Sequence, residues 1–239
     1  MEDGRVDPHR QLRDSSCAIF IPRLSGKLRL SWKLQQAWLR LEPAVRALPL
    51  PPVVAAAYAG AFMWWKRPRI ATLLAIGFAA FLRTGEQMNL ERRDFQVLPQ
   101  KGVAIIALRS TKTGQRESRL EFAAVRSRVA VGLIIKHVLP LAPYERVFDL
   151  QPAEFNQMFR RITSALEPQD EKITLYSVRR GGASHDFLEH GSLEKTLLRG
   201  RWASARSARI YVQDAVAALA ELQLSETQLD NARLLASFL

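Results

Sequence analysis

A chain of 239 residues, 48% hydrophobic and 24% charged, is globular and long enough for one sizeable domain plus an appendage, which excludes wholesale disorder. Its 35 Lys and Arg against 23 Asp and Glu give a formal charge of +12, which points to a polyanionic partner, with nucleic acid ahead of an anionic membrane. The single Cys17 excludes an internal disulfide framework and fits a reducing compartment.

Residues 1–26 carry scattered charge with Pro8, Pro22 and Gly26, and read as a loosely packed lead; the opening MEDGRVDPHRQLRD has no apolar core and is no signal peptide. From Lys27 to Leu41, Leu28, Trp32, Leu34, Trp38 and Leu41 recur at roughly helical spacing among basic residues, which predicts a basic amphipathic helix. Four prolines between Glu42 and Pro52 block helix and mark a linker and domain boundary. Helices follow from Pro51-Pro52 to Trp65 and from Arg69 to Leu82, apolar nearly all round and therefore buried. Their apolar runs of 13 residues fall short of the roughly 20 needed to cross a bilayer, so no membrane partner is expected.

The period then changes. Phe95–Leu98, Val103–Leu108 and Ser118–Phe122 have strand character, with turns at Pro99–Gly102 and Thr113–Gln115. Lys112 falls near the tip of the second hairpin. Helices resume at Ala123–Leu139 and at Ala153–Leu166, where Phe155, Phe159, Ile162 and Leu166 form one stripe. A short helix is expected over Val212–Leu222. Ser225 with Gln228 predicts a capping box for a last helix. The fold class is α+β, mainly α-helical, with a small three-stranded antiparallel sheet.

No phosphate-binding GxxxxGK[ST], GxGxxG, HExxH or CxxC motif occurs, and His9, His137, His185 and His190 are too scattered for a metal set, so no cofactor and no metal are expected. Two features stand out instead. Arg83 emerges from an apolar helix, where an unpaired guanidinium costs several kcal/mol; it either pairs with Glu86 three residues on or ligates a phosphate. Between Arg179 and Tyr211, six arginines surround Trp202 and Tyr211, which suggests a site holding a phosphate beside a phenolic hydroxyl.

Taken in order, these residues resemble the catalytic domain of the tyrosine recombinase (phage integrase) family, from about Leu48 to Tyr211. Arg83, Glu86, Leu90 and Asp94 match its first box, and Lys112 its hairpin lysine. Tyr176-Ser-Val-Arg179 aligns with the His-x-x-Arg box. Gly200-Arg-Trp202 matches the third box, and Tyr211 stands nine residues beyond Trp202, at the nucleophile's position. The form YSVRRGGASHDF with GRW is similar to eukaryotic mobile-element members.

The resemblance implies double-stranded DNA as partner, a homo-oligomer working on it, and a 3′-phosphotyrosyl intermediate in recombination or integration. It implies Tyr211 as nucleophile, Arg83 and Arg179 as phosphate ligands, Lys112 as general acid and Trp202 as hydrogen-bond donor. Tyr176 replaces the usual histidine, and a phenol with a pKa of about 10 cannot act as a base at neutral pH, though it can donate to phosphate. Arg180, Arg199, Arg201 and Arg206 are expected to grip the DNA backbone. The organisation read from this is a lead and remnant of a DNA-clamping domain over 1–42, a catalytic domain over 43–224, and a C-terminal helix over 225–239 for docking on a neighbouring protomer. The alternatives are a catalytically impaired DNA-binding remnant and a type IB topoisomerase-like relaxase. The expected location is the nucleus for a eukaryotic chain, otherwise the nucleoid.

Overall fold

A computed structural model of the chain describes residues 47–109, 120–166, 173–209, 212 and 224–239. The chain divides into two compact units, 1–46 and 47–239. The first unit, with the lead and the helix expected at Lys27–Leu41, lies outside the described residues, as do most of the helix expected at Val212–Leu222 and the hairpin turn at Thr113–Gln115.

Residues 47–51 have no regular structure, yet they belong to the body rather than to a free linker. Leu50 is buried, and its N–H donates to the Ser177 carbonyl at 3.2 Å. Helix α1 (Pro52–Trp64) starts on a proline, whose fixed φ suits the first turn, and buries Val54, Tyr58 and Phe62 among alanines. Helix α2 (Pro68–Ala79) also starts on a proline and buries Ile70, Leu73, Leu74 and Ile76. It stops at Ala79, short of the expected Leu82, because Phe81 takes the left-handed conformation at φ 51°. The Leu82 N–H then turns back to the Gly77 carbonyl at 3.1 Å, closing a Schellman motif. A short helix, α3 (Thr84–Met88), follows with Arg83 at its N-cap.

The sheet has order β1-β2-β3, all antiparallel: β1 (Phe95–Leu98), β2 (Val103–Leu108) and β3 (Glu121–Val125). Phe95 pairs with Ile106, and Ile106 with Ala123, so one face carries Phe95, Ile106 and Ala123 into the core. The third strand runs further than expected and the next helix starts later. Ala123 and Val125 pair with Ile106 and Ala104, and α4 (Arg128–His137) begins only where the Ser127 side chain accepts from the Ala130 N–H at 3.3 Å. Pairing across the sheet thus overrides the helical propensity of the alanines.

Helix α5 (Pro152–Leu166) buries the expected stripe of Phe155, Phe159, Ile162 and Leu166. Phe155 stacks on Phe62 at 5.7 Å between centroids, and Phe159 lies 4.6 Å from Tyr58. Helix α6 (Leu175–His190) passes through the middle of the body. Side chains beyond hydrogen at Gly181 and Gly182 would fall on the Leu50 backbone and the Phe78 carbonyl, so these glycines set how closely α6 approaches its neighbours. Helices α7 (Leu193–Gly200) and α8 (Ala205–Arg209) follow.

The last helix, α9 (Glu226–Ala236), carries the expected capping box: the Ser225 N–H donates to Gln228 Oε1 at 2.8 Å, and the Gln228 N–H to Ser225 Oγ at 3.2 Å. It packs on α1, where a Cβ at Gly60 would meet the Leu235 carbonyl and Trp64 lies 4.8 Å from Phe238. No helix among the described residues is long and apolar enough to cross a membrane.

Candidate phosphate-binding site

The site is built where two helices end against each other. Helix α2 leaves its last carbonyls without intrahelical donors. Helix α7 ends on Arg201, which is also left-handed at φ 57°, and the Trp202 N–H turns back to the Leu197 carbonyl at 3.2 Å. Arginines from the α7 end satisfy the α2 end. Arg199 donates to the Ala79 carbonyl at 3.1 Å, and Arg201 to those of Ala80 at 3.2 Å and Phe81 at 3.4 Å. Cations at a helix C-terminus also meet the negative end of its dipole.

Arg179 enters from α6 with its side chain fully buried. It donates through Nη1 to the Phe81 carbonyl and through Nη2 to the Gly200 carbonyl at 3.0 Å. Its guanidinium lies over the Trp202 ring, 4.9 Å from the centroid, and that ring stacks on Phe81 at 6.3 Å. Arg199 in turn lies over the Phe81 ring, 5.2 Å from its centroid. Two stacked rings, Trp202 and Phe81, thus each carry one arginine, Arg179 and Arg199, contacts that the rings' negative faces favour.

The hub of the cluster is the buried carboxylate of Glu86. Its Oε1 accepts from Arg83 Nη1 at 2.6 Å; its Oε2 accepts from the Arg83 N–H at 2.8 Å and from Arg201 Nη2 at 3.0 Å, with Arg179 Nη1 at 3.9 Å. The pairing of Arg83 with Glu86 is thus observed. Three guanidinium groups share one carboxylate, with Glu121 3.7 Å from Arg201 Nε, so the cluster keeps a surplus of positive charge. Arg83, with 29% of its side chain exposed, carries that surplus to the surface. Burial holds Arg201 below the usual arginine range; Glu86 opposes this, and the neighbouring Arg83 adds to it. Arg199 is also held down, first by burial and then by Arg126. Both remain cationic at neutral pH.

Of the residues singled out from the sequence, Arg83, Arg179, Arg201 and Trp202 come together. Tyr176 sits one turn before Arg179 on α6 and is partly exposed. Lys112 and Tyr211 lie outside the described residues. The expected DNA-gripping arginines separate. Arg206 is exposed on α8, whereas Arg180 is buried and donates to the Ala47 carbonyl, which turns it away from any ligand at the surface. Arg199 and Arg201 point into the fold as just described.

Sequence reading missed Asp186 and Phe81. Asp186 is buried, accepts from Thr196 Oγ1 at 2.7 Å and pairs with Arg199, which fixes α7 against α6. It stands seven residues after Arg179, on the same face of one helix, and that spacing was the available signal. Phe81 had no signal, since a phenylalanine is not expected at positive φ. Among the described residues no three His, Cys, Asp or Glu side chains gather as a metal site would need.

No family model and no curated protein matches the chain. Solved structures do. The site-specific recombinase XerH bound to a palindromic difH substrate, a post-cleavage complex, superposes with a TM-score of 0.55 at 16% identity, over 73% of this chain and 53% of XerH. XerH in a pre-cleavage complex with difH gives 0.55 at 16%, over 76% and 55%. XerA recombinase gives 0.56 at 16%, over 93% of this chain and 85% of XerA. The chain thus spans about half the length of XerH. The likeness is one of fold: a mainly helical body with a small three-stranded antiparallel sheet.

Proposed function

We propose that this chain is a tyrosine recombinase that breaks and rejoins DNA through Tyr211. The observation that carries the reading is the gathering of Arg83 and Arg179 on Glu86, with Trp202 stacked against Arg179. A phosphodiester under attack gains charge on its non-bridging oxygens, and preorganised guanidinium groups in a dry site stabilise that charge. Tyr211 Oη gives up its proton to water, attacks the scissile phosphorus and forms a 3′-phosphotyrosyl bond; the bond to the DNA 5′ oxygen breaks, and that oxygen takes a proton from Lys112. The reverse attack by a 5′-hydroxyl reseals the strand, and because the bond energy is kept in the intermediate no ATP is consumed. The fold shared with XerH, crystallised on its difH substrate, supports DNA as the ligand. The working unit is a multimer on two duplexes.

One observation favours the second reading, a DNA-binding remnant without cleavage. Arg179 is fully buried and donates to the Phe81 and Gly200 carbonyls, so no DNA phosphate reaches its guanidinium unless the surrounding chain shifts. Covalent capture from a randomised pool of nicked duplexes decides between the two. Adduct that resists detergent with the wild type and vanishes in Tyr211→Phe supports the enzyme. Adduct that persists in Tyr211→Phe removes the nucleophile assignment. Salt-sensitive binding with no adduct from any duplex identifies the remnant.

A further inference from the structure

We propose that Arg201 is a positioning residue that sets Arg83 against Trp202, in place of a direct grip on the DNA backbone. The inference rests on the recombinase reading for its effect on cleavage, but its starting point is the backbone. A side chain with a Cβ is costly in the left-handed conformation, and such outliers persist only where the surroundings hold them. The same helix end closed by glycine would relieve that cost, as Gly191 does at φ 63° after α6. Arg201 occupies the position nonetheless, at φ 57°, with only 8% of its side chain exposed.

What Arg201 touches explains why. One guanidinium spans the Ala80 and Phe81 carbonyls and Glu86 Oε2, with Glu121 at 3.7 Å from its Nε. Its own backbone carries Trp202 as the next residue. The 80–81 carbonyls lead directly through Leu82 to Arg83, and Glu86 holds the Arg83 guanidinium at 2.6 Å. Arg201 is thus a strut between the chain segment that presents Trp202 and the one that presents Arg83. Glycine would suit the backbone but supply no strut; lysine would keep the charge but lacks the planar fork that reaches three oxygens at once.

Two variants test this against the alternative of a phosphate contact. In Arg201→Gly and Arg201→Lys, the indole N–H resonance of Trp202, assigned by its loss in Trp202→Phe, is expected to move or broaden in the 1H–15N spectrum. The salt slope of binding to a generic duplex is expected to stay at the wild-type value in both variants, while a direct phosphate contact would lower it by about one in Arg201→Gly. The rate of covalent capture is expected to fall about 10- to 100-fold in both, the cost of a misplaced catalytic group. An unmoved Trp202 resonance, a reduced salt slope in Arg201→Gly, or wild-type capture by Arg201→Lys would each overturn the proposal. A wild-type protein that captures no DNA defeats the recombinase reading alone, because the Trp202 resonance and the salt slope still judge Arg201.

Discussion

Arg179 lies over Trp202, with its guanidinium carbon 4.9 Å from the ring centroid and both side chains almost wholly withdrawn from solvent. A cation so deeply buried is tolerated because Phe81, Gly200 and Glu86 all face it. Removing the head group strands the Gly200 carbonyl, leaves the Phe81 carbonyl only its 3.4 Å bond from Arg201, and uncovers one face of the indole. Arg179→Gln is expected to lower folding stability by roughly 2–4 kcal/mol, read by urea unfolding. A stability equal to the wild type would mean that the site is open and hydrated.

Lys66 offers the control for backbone strain. It closes α1 at φ 60°, where the Arg67 N–H turns back to the Phe62 carbonyl at 2.8 Å, and it is exposed. Lys66→Gly removes the left-handed penalty without removing a contact that holds the fold. It is expected to stabilise the protein by about 1 kcal/mol in the same unfolding assay.

Gly60 and Gly132 should respond oppositely to alanine. A Cβ at Gly60 would collide with the Leu235 backbone, whereas at Gly132, on the exposed side of α4, it meets open space. Gly60→Ala is expected to cost about 1–3 kcal/mol through overpacking. Gly132→Ala is expected to contribute roughly 0.5–1 kcal/mol from helix propensity. Equal melting temperatures for the two variants would contradict the packing of α9 on α1.

His137 gives a pH signature. Burial, and then the charge of Lys136, hold its imidazole below the ordinary 6.5, so the unfolded chain binds a proton more readily than the folded one. Its contribution is therefore present above about 6.5 and is lost as the pH falls below that value. The difference in melting temperature between wild type and His137→Asn is expected to shift in favour of the variant between pH 7 and 5. A pH-independent difference would show that this ring does not titrate on unfolding.

Arg206 and Arg180 separate charge that can reach DNA from charge that cannot. Arg206→Ala, which removes an exposed guanidinium, is expected to reduce the salt slope of duplex binding by about one. Arg180→Gln, measured where it remains folded, is expected to leave the slope unchanged, because that side chain is committed to the Ala47 carbonyl. Fluorescence anisotropy across a salt series reads both.

Much of the scaffold was legible because its signals are local. Pro51-Pro52 marked the start of α1, a four-residue stripe of apolar side chains marked α5, and Ser225 with Gln228 marked α9. Arg83 and Glu86 were legible as a pair because three residues apart on a first turn brings them together. The placement of Arg180, Arg199 and Arg201 was not legible, for a physical reason. Their density along the chain reads as a solvated or DNA-facing surface, but the groups they satisfy are backbone carbonyls at 47 and at 79–81, which no side-chain pattern reveals. The boundary between β3 and α4 misled in the same way, since Ala123–Val125 are strand only by virtue of β2 beside them.

The packing of α9 on α1 also orders events in time. Helix α1 is the first described helix to be synthesised, and the surface around Gly60 that receives α9 stays bare until residues 226–239 are made. During translation the ribosome therefore holds a nascent chain with an alanine-lined apolar groove facing water, the kind of surface that chaperones engage. Removal of residues 226–239 would leave the α1 surface uncovered, an exposed apolar patch of the kind that promotes association.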